Sequence, residues 1–483
     1  MRITTSLTLG LMLASVAVTR GAEPENAPRP LPVTRPQMKQ LIENVKVRTP
    51  RIPLPEMTAA EKEQSAGQGD NYEGRLRQHY LNGIEEPRTG FGGRPGQPGE
   101  VPAPGAPGTS RTGRTRGQQE QDPSMTLDNA FKVELFWIVS RANNCQYCMG
   151  HQESKLLAAG LTEDQIAALD SNWSKFKPEE QVAFAFARKF TFEPHLLSDS
   201  DITGLRKHFN DKQILEMLLS MAGNNSINRW KEGTGVPQRQ DEGGYSRVED
   251  ADPKLPRGTY LTPTSEEFAA RVSLVAPLIK DEKTGQPTSL TVNQRPPLES
   301  REQVEKMLSA CRQRTARLPL IEDATARTVL GDKWTSTGPL PNWARLLVVF
   351  PRSGVSRVTG TRSADEKGDL SPVLKAQLSW IIARQDRAWY ALGLSKNRLL
   401  KLGQTADQIY QLDGDWKSCT PREKALFTVA KQLGSSPVVL TDAEVAKAVE
   451  LAGPRDTVQT ISYTTTRAAF NRITEAAGLP LEE

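Results

Sequence analysis

ELFWIVSRANNCQYCMGHQESKLLAAGLTEDQIAALDSNW, residues 134–173, returns without a gap as QLSWIIARQDRAWYALGLSKNRLLKLGQTADQIYQLDGDW, residues 377–416, 243 positions later. Between residues 135–199 and 378–442, 23 of 65 positions are identical, where unrelated sequence would give about 4. The match resumes at Asn228-Arg229 and Gly235, opposite Asn471-Arg472 and Gly478. Upstream, the pattern RTxRxPL at Arg48–Leu54 faces the same pattern at Arg314–Leu320, 266 positions apart. The difference, 266 − 243 = 23, is a net insertion in the first copy. Residues 86–122 are rich in Gly, Pro and Arg and lack hydrophobic periodicity, so they are expected to be a flexible insertion. One fold unit is therefore written twice.

Each copy reads as helices. Phe131–Val139 is apolar nearly all round, the pattern of a buried helix. Thr162/Gln165, Thr405/Gln408, Thr420/Glu423, Ser198/Asp201 and Thr441/Glu444 have capping-box spacing. Asn144 is expected to cap a helix running from Cys145 to Ala159 and stopping at Gly160. Strand-like alternation is scarce; LLVVF at 346–350 reads either as a strand or as a buried helix. The expected class is all-α, in two tandem domains of which the second is degenerate at the active site. Residues 1–22 are expected to be a signal peptide, 23–236 the first domain, 237–296 an inter-domain segment with one helix near Ser265–Ile279, and 297–483 the second domain.

The chain has 483 residues, enough for two to four domains at about 100–200 residues each. Beyond residue 22 there is no apolar run of the ~18 residues a membrane span requires, so no stable span is expected. Lys and Arg together number 62 against 57 Asp and Glu; a margin of five gives no reason to expect nucleic acid as a partner. Met1-Arg2 followed by LTLGLMLASVAV at 7–18, then Thr19, Gly21 and Ala22, has the form of a cleaved leader. Export to the periplasm or the exterior is expected, a setting in which thiol–disulfide chemistry is at home.

Cysteine occurs four times, at 145, 148, 311 and 419, too few for a disulfide scaffold. Two of the four lie three residues apart, with His151 three further on. At the start of a helix, backbone N–H groups and the helix dipole stabilise a thiolate. Spacing of three puts Cys145 and Cys148 on one face, within reach of a disulfide. It also puts His151 beside Cys148, so Cys148 is central. A thiol flanked by a second thiol and an imidazole suits redox nucleophilic chemistry. Two other uses of the same residues stay open: three zinc ligands completed by Glu134, or a buried structural pair. Cys311 and Cys419 fall outside the motif and read as packing residues, and His79, His195 and His208 lack any comparable surroundings.

The segment SRANNCQYCMGH resembles the active-site segment of the carboxymuconolactone decarboxylase/alkylhydroperoxidase D-like superfamily. The likeness spans the core of each repeat, about 110 residues, and is most specific over 134–160. It implies an all-α, oligomeric protein, here a homo-oligomer or an intramolecular pseudo-dimer. It also implies thiol-dependent, peroxiredoxin-type reduction of hydroperoxides, with electrons from a thiol reductant protein. Cys148 would be the peroxidatic thiol, Cys145 the proton donor and resolver, His151 the relay base and Glu134 the relay acid. The redox-active Cys145–Cys148 disulfide would stand in for any cofactor, and no metal is implied. Two spacings depart from the family pattern: His151 follows Cys148 by three rather than four, and Glu134 precedes Cys145 by eleven rather than twelve. One residue turns a helix by about 100°, which bears on where Glu134 points.

The second copy has Gln377, Ala388, Ala391 and Leu394 where the first has Glu134, Cys145, Cys148 and His151. Without a thiol it cannot run this chemistry. Residues kept in both copies, Trp137/Trp380, Tyr147/Tyr390, Gly150/Gly393, Trp173/Trp416 and Asn228-Arg229/Asn471-Arg472, are therefore expected to be scaffold. A lactone decarboxylase, the superfamily's other branch, and a non-catalytic binding module with a vestigial thiol pair are the competing functions.

Overall fold

The computed structural model describes residues 27–59, 62, 72–84, 122–238, 264–276, 279–280, 287–288 and 297–482. The expected leader and nearly all of the 86–122 insertion lie outside these residues. The protein is all-α. Apart from a two-residue antiparallel ladder, β1 (Ile279–Lys280) with β2 (Pro287–Thr288), the regular elements among the described residues are helical.

The first half contains α1 (Arg35–Val45), α2 (Tyr72–Tyr80), α3 (Asn129–Asn143), α4 (Gln146–Ala158), α5 (Glu163–Ser171), α6 (Pro178–Phe192), α7 (Asp199–Arg206) and α8 (Asp211–Thr234). After the short α9 (Glu266–Ala269), the second half contains α10 (Arg301–Gln313), α11 (Asp323–Leu330), α12 (Asn342–Leu347) and α13 (Ser353–Glu366). It continues with α14 (Pro372–Asp386), α15 (Trp389–Lys401), α16 (Ala406–Gln411), α17 (Pro421–Gly434) and α18 (Asp442–Ala476). The repeat is visible helix by helix: α14 and α15 begin and end 243 residues after α3 and α4. α18 joins the counterparts of α7 and α8 across a break at Gly453, φ +82°, which stands where Asn210 caps α8. α1 and α10 begin 266 residues apart, which extends the upstream repeat beyond its motif.

The capping boxes form where their spacing places them. The Thr162 backbone N–H donates to Gln165 Oε1 at 2.8 Å, and the Gln165 backbone N–H donates to the Thr162 hydroxyl at 3.2 Å; Thr405 and Gln408 repeat the same pair of bonds. Two expectations need correcting, and the open reading of LLVVF is decided. The helix expected near 265–279 ends at Ala269, because the backbone beyond it bonds elsewhere: Ser273 N–H to Val33 O at 2.9 Å and Leu274 N–H to Asp170 O at 2.7 Å. LLVVF is no strand; it closes α12 and continues into a buried turn. Asn144 does not cap α4. It is the left-handed residue, φ 59°, ending α3, and Cys145 is the N-cap. A sharp corner between two packed helices needs one residue in that conformation, and Asn tolerates it better than most. Arg387 takes the same role in the second half, φ 49°.

Residues kept in both halves explain themselves in the packing. A Cβ on Gly150 would lie 2.9 Å from Gln238 Oε1, and one on Gly393 would overlap Leu481 Cδ2. Gln238 and Leu481 are themselves 243 apart, so each half folds its trailing segment over the same glycine. The RTxRxPL arginines hold the end of the long helix. Arg48 reaches Glu232 and Arg314 reaches Glu475, its equivalent. Arg51 donates to Glu232 O at 2.7 Å and Arg317 to Glu475 O at 2.9 Å.

Several of these residues also cross between the halves, reciprocally. Arg229, fully buried, donates through Nη2 to Gly434 O at 3.2 Å and Ser436 Oγ at 2.7 Å. Arg472, its equivalent, donates to Thr191 O at 3.0 Å and Ser436 Oγ at 3.1 Å; Thr191 is the equivalent of Gly434. Outside them, Arg51 pairs with Asp442, and Arg317 pairs with Asp199 at 2.8 Å. Asp442 and Asp199 are again one position written twice. This is a pseudo-twofold interface with α8 and α18 packed along it. The second half is in addition anchored by Asp122, whose carboxylate accepts from the backbone N–H groups of Arg352 and Ser353 at the start of α13.

Arg472 also donates to the fully buried Asp386 at 3.1 Å. Removing one partner of such a pair leaves the other charge buried without compensation, at about 3–5 kcal/mol. Arg472→Ala should therefore lower unfolding stability by that amount in denaturant melts. Asp199→Ala, which removes the ion pair to Arg317 at a side chain 90% exposed but leaves the bonds of Arg317 to the long helix, should cost under ~1 kcal/mol.

Candidate active site

The α3–α4 corner places the cysteines. Asn144 turns the chain, and its amide donates to Pro30 O at 3.1 Å, fastening the residues before α1 across the corner. Cys145 caps α4 through its side chain, the sulfur accepting the Cys148 backbone N–H at 3.3 Å. The two sulfurs are joined as a disulfide, with Cα atoms 5.3 Å apart, inside the ordinary range for that bond. Both residues are buried in a small apolar cluster with Val45, Phe136, Tyr147 and Val236. What little surface the pair keeps, 2%, belongs to Cys148; Cys145 keeps none.

His151 lies one turn beyond Cys148 on the same helix, its ring 4.6 Å from that of Tyr147. Lys231 of α8 places its ammonium 4.1 Å from the centre of the Tyr147 ring and pairs with Glu73 of α2. Trp230 donates to the same Glu73 carboxylate at 2.7 Å. Burial pushes His151 down to about 3, Lys231 and Lys155 act the same way, and Glu73 opposes them. The imidazole is therefore neutral across the physiological range. Burial would raise Glu73, but Lys231 and Arg77 hold it near 2.

Cys145, Cys148 and His151 thus share one turn-and-a-half of chain. Glu134 sits elsewhere on the scaffold. It lies nine residues before the end of α3, roughly 14 Å back along the helix axis. Its charged surroundings are Glu180, Asp128 and Lys177. The residue is buried, 7% exposed, and its Oε2 accepts no hydrogen bond. Burial first, then Glu180 and Asp128, push the carboxyl up to about 8. Glu134 is a buried carboxylic acid at neutral pH.

The remaining cysteines are free. Cys311 is buried and pushed up to about 11, burial being the main cause. Cys419 is half-buried and also raised. Neither is a ready thiolate. No group of three or more His, Cys, Asp or Glu able to hold a metal occurs among the described residues.

Tyr147, Lys231, Glu73 and Asn224 escaped the motif. Tyr147 is kept in the second copy as Tyr390, which made it look like scaffold alone; there its hydroxyl donates to Glu482 at 2.9 Å. Asn224 of α8 is fully buried, and neither polar atom of its amide has a hydrogen-bond partner. It stands close in sequence to Ile227, which packs against the cysteine cluster. The signal that could have found Asn224 and Lys231 is the difference between copies, which have Arg467 and Thr474 in their places.

No family model matches the chain, and no curated protein matches it.

Because the folded carboxyl of Glu134 titrates near 8 and an unfolded one near 4.5, the native state binds the extra proton. The stability tied to that proton is fully present below pH 4.5 and is lost as the pH rises toward 8. Glu134→Gln should remove this loss. Urea melts at pH 5 and pH 8.5 should show the variant's advantage over wild type growing with pH.

Proposed function

We propose that the first copy is an exported thiol peroxidase that reduces hydroperoxides through Cys148 and Cys145, and that the second copy is its non-catalytic partner. The observation that carries this is the buried Cys145–Cys148 disulfide at the head of α4, with a neutral His151 on the same helix face. The likeness of SRANNCQYCMGH to the alkylhydroperoxidase D-like active-site segment supports the same reaction class.

In the dithiol state the Cys148 proton leaves the sulfur as it attacks and is handed through the His151 imidazole to the departing alkoxide; burial disfavours a resting imidazolium, so His151 passes the proton on rather than holding it. The backbone N–H groups and dipole at the head of α4 favour the thiolate. The thiolate attacks one oxygen of ROOH, the O–O bond breaks, and Cys148 becomes a sulfenic acid. The departing RO⁻ takes a proton and leaves as ROH. Cys145 then attacks the Cys148 sulfur; the S–S bond forms and the hydroxyl leaves as water with the Cys145 proton. The product is the disulfide of this structure. A thiol reductant protein returns it to the dithiol with two electrons and two protons.

Cys148 carries the attack in this scheme because it retains a trace of surface, and Cys145 resolves because it is the wholly enclosed N-cap. Glu134, expected as the relay acid, is given no step here: its charged neighbours are Glu180, Asp128 and Lys177, whereas those of His151 are Lys231, Lys155 and Glu73.

The test is mass spectrometry of the reduced protein after one equivalent of hydrogen peroxide. Wild type should lose two hydrogens as the disulfide forms. Cys145→Ser should accumulate a dimedone-reactive sulfenic acid on Cys148, and Cys148→Ser should do neither and lose at least about a hundredfold in turnover. Undiminished turnover in Cys148→Ser would overturn the proposal. Glu134→Gln, away from the thiols, should leave peroxide turnover near the wild-type value.

A further inference from the structure

The second half has a cavity at the place where the first half has its thiols. It measures about 90 Å³, several times the volume one water needs. Its walls include Ala391 and Leu394, which occupy the positions of Cys148 and His151, and Ser379, which replaces Phe136. Serine opposite the phenyl ring of Phe136 and alanine opposite Cys148 leave space, while Leu394 is about as large as the His151 it corresponds to. Two guanidiniums have come in: Arg398 where the first copy has Lys155, and Arg467 where it has Asn224.

The charges in this cavity do not balance. Asp365 is the one carboxylate in its wall. It accepts from Arg398, from the Tyr463 hydroxyl at 2.7 Å and from Arg467 Nη2 at 3.1 Å. Two arginines against one aspartate leave a net positive charge in a partly dry site. The nearby Lys375 ammonium is taken up by the carbonyls of Asp365 and Lys367. Arg467 is buried, its side chain 10% exposed, and its Nε has no hydrogen-bond partner. A buried donor without an acceptor is costly, and this one belongs to a cavity wall. A second cavity of about 30 Å³ shares Trp343, Thr361 and Phe470 with the first and adds Leu347, Ala469 and Ile473 beside the buried Arg357, so it extends the site along a mostly apolar wall with one further guanidinium at its side.

We propose that the second copy binds a small organic carboxylate in this cavity, its head on Arg467 and Arg398 and its short apolar tail against Phe470 and Trp343. Guanidinium–carboxylate pairing is charge-assisted and directional. The cavity's size limits the tail to a few carbons. On this assignment the duplicated fold keeps one pocket position and uses it twice, for thiols in one half and for anion binding in the other. The binding is independent of whether the first half reduces peroxides.

The experiment is calorimetric titration and thermal melting of the full chain with butyrate as the probe, and with butylammonium and butanol as charge controls. Butyrate should bind and raise Tm while the two controls do not. Arg467→Met should weaken butyrate binding at least about tenfold, with Arg467→Lys in between. Ala391→Leu fills the cavity but keeps both arginines, so it should abolish binding in a folded protein; this guards against misfolding of the arginine variant. Absence of butyrate binding to wild type, equal binding of butylammonium, or full binding by Ala391→Leu would each overturn the proposal.

Discussion

Two buried guanidiniums, Arg229 and Arg472, organise the molecule. Each leaves the long helix of its own half and bonds to the other: Arg229 to the 434–436 segment, Arg472 to Thr191. Both meet at the Ser436 hydroxyl, which itself donates to Asn143 at the end of α3. A charge that deep is tolerated only when nearly every donor finds an acceptor. That requirement fixes α8 against α18, fixes the 434–436 segment, and so fixes the C-terminal end of α3. The cysteine corner begins at the next residue. Its geometry is therefore set partly by the half that lacks the cysteine pair.

The corner itself follows from a few local choices. Asn144 turns the chain at positive φ, Cys145 caps the helix it opens, and Cys148 falls in the first turn where its N–H meets the Cys145 sulfur. In the second half Arg387 and Ala388 reproduce the same backbone without the sulfur. The fold thus does not need the disulfide to make this turn. The cysteine pair sits on a scaffold that stands without it.

Much of this was legible in the sequence. The 243-residue register, the capping boxes and the scaffold role of Asn228-Arg229 could be read because repetition marks what both copies need. The cysteine pair could be read because its spacing equals one helical turn. What stayed hidden was non-local. The left-handed Asn144 depends on how α3 and α4 pack, and Asn is favoured both at an N-cap and in that conformation. The helix near 265 stops early because Val33 and Asp170, far off in the chain, take its backbone donors. Glu134 lies one helical residue away from the resemblance pattern, and its surroundings of Glu180 and Asp128 come from α6 and the start of α3. Lys231 and Glu73 meet only because α2 packs beside α8.

The reciprocal bonds between the halves also have a kinetic meaning. Two separate chains joined by such an interface would find each other at a rate and extent set by their concentration. Here both faces belong to one polypeptide, and pairing is intramolecular, at an effective concentration on the order of millimolar or above. Dilution cannot separate the halves. Because each face meets a single, fixed partner, a substitution in one half is never duplicated across the axis. A change that would be doubled, and ruinous, in a symmetric pair is experienced once. That is a physical licence for the two halves to grow unlike, one around sulfur and the other around arginine.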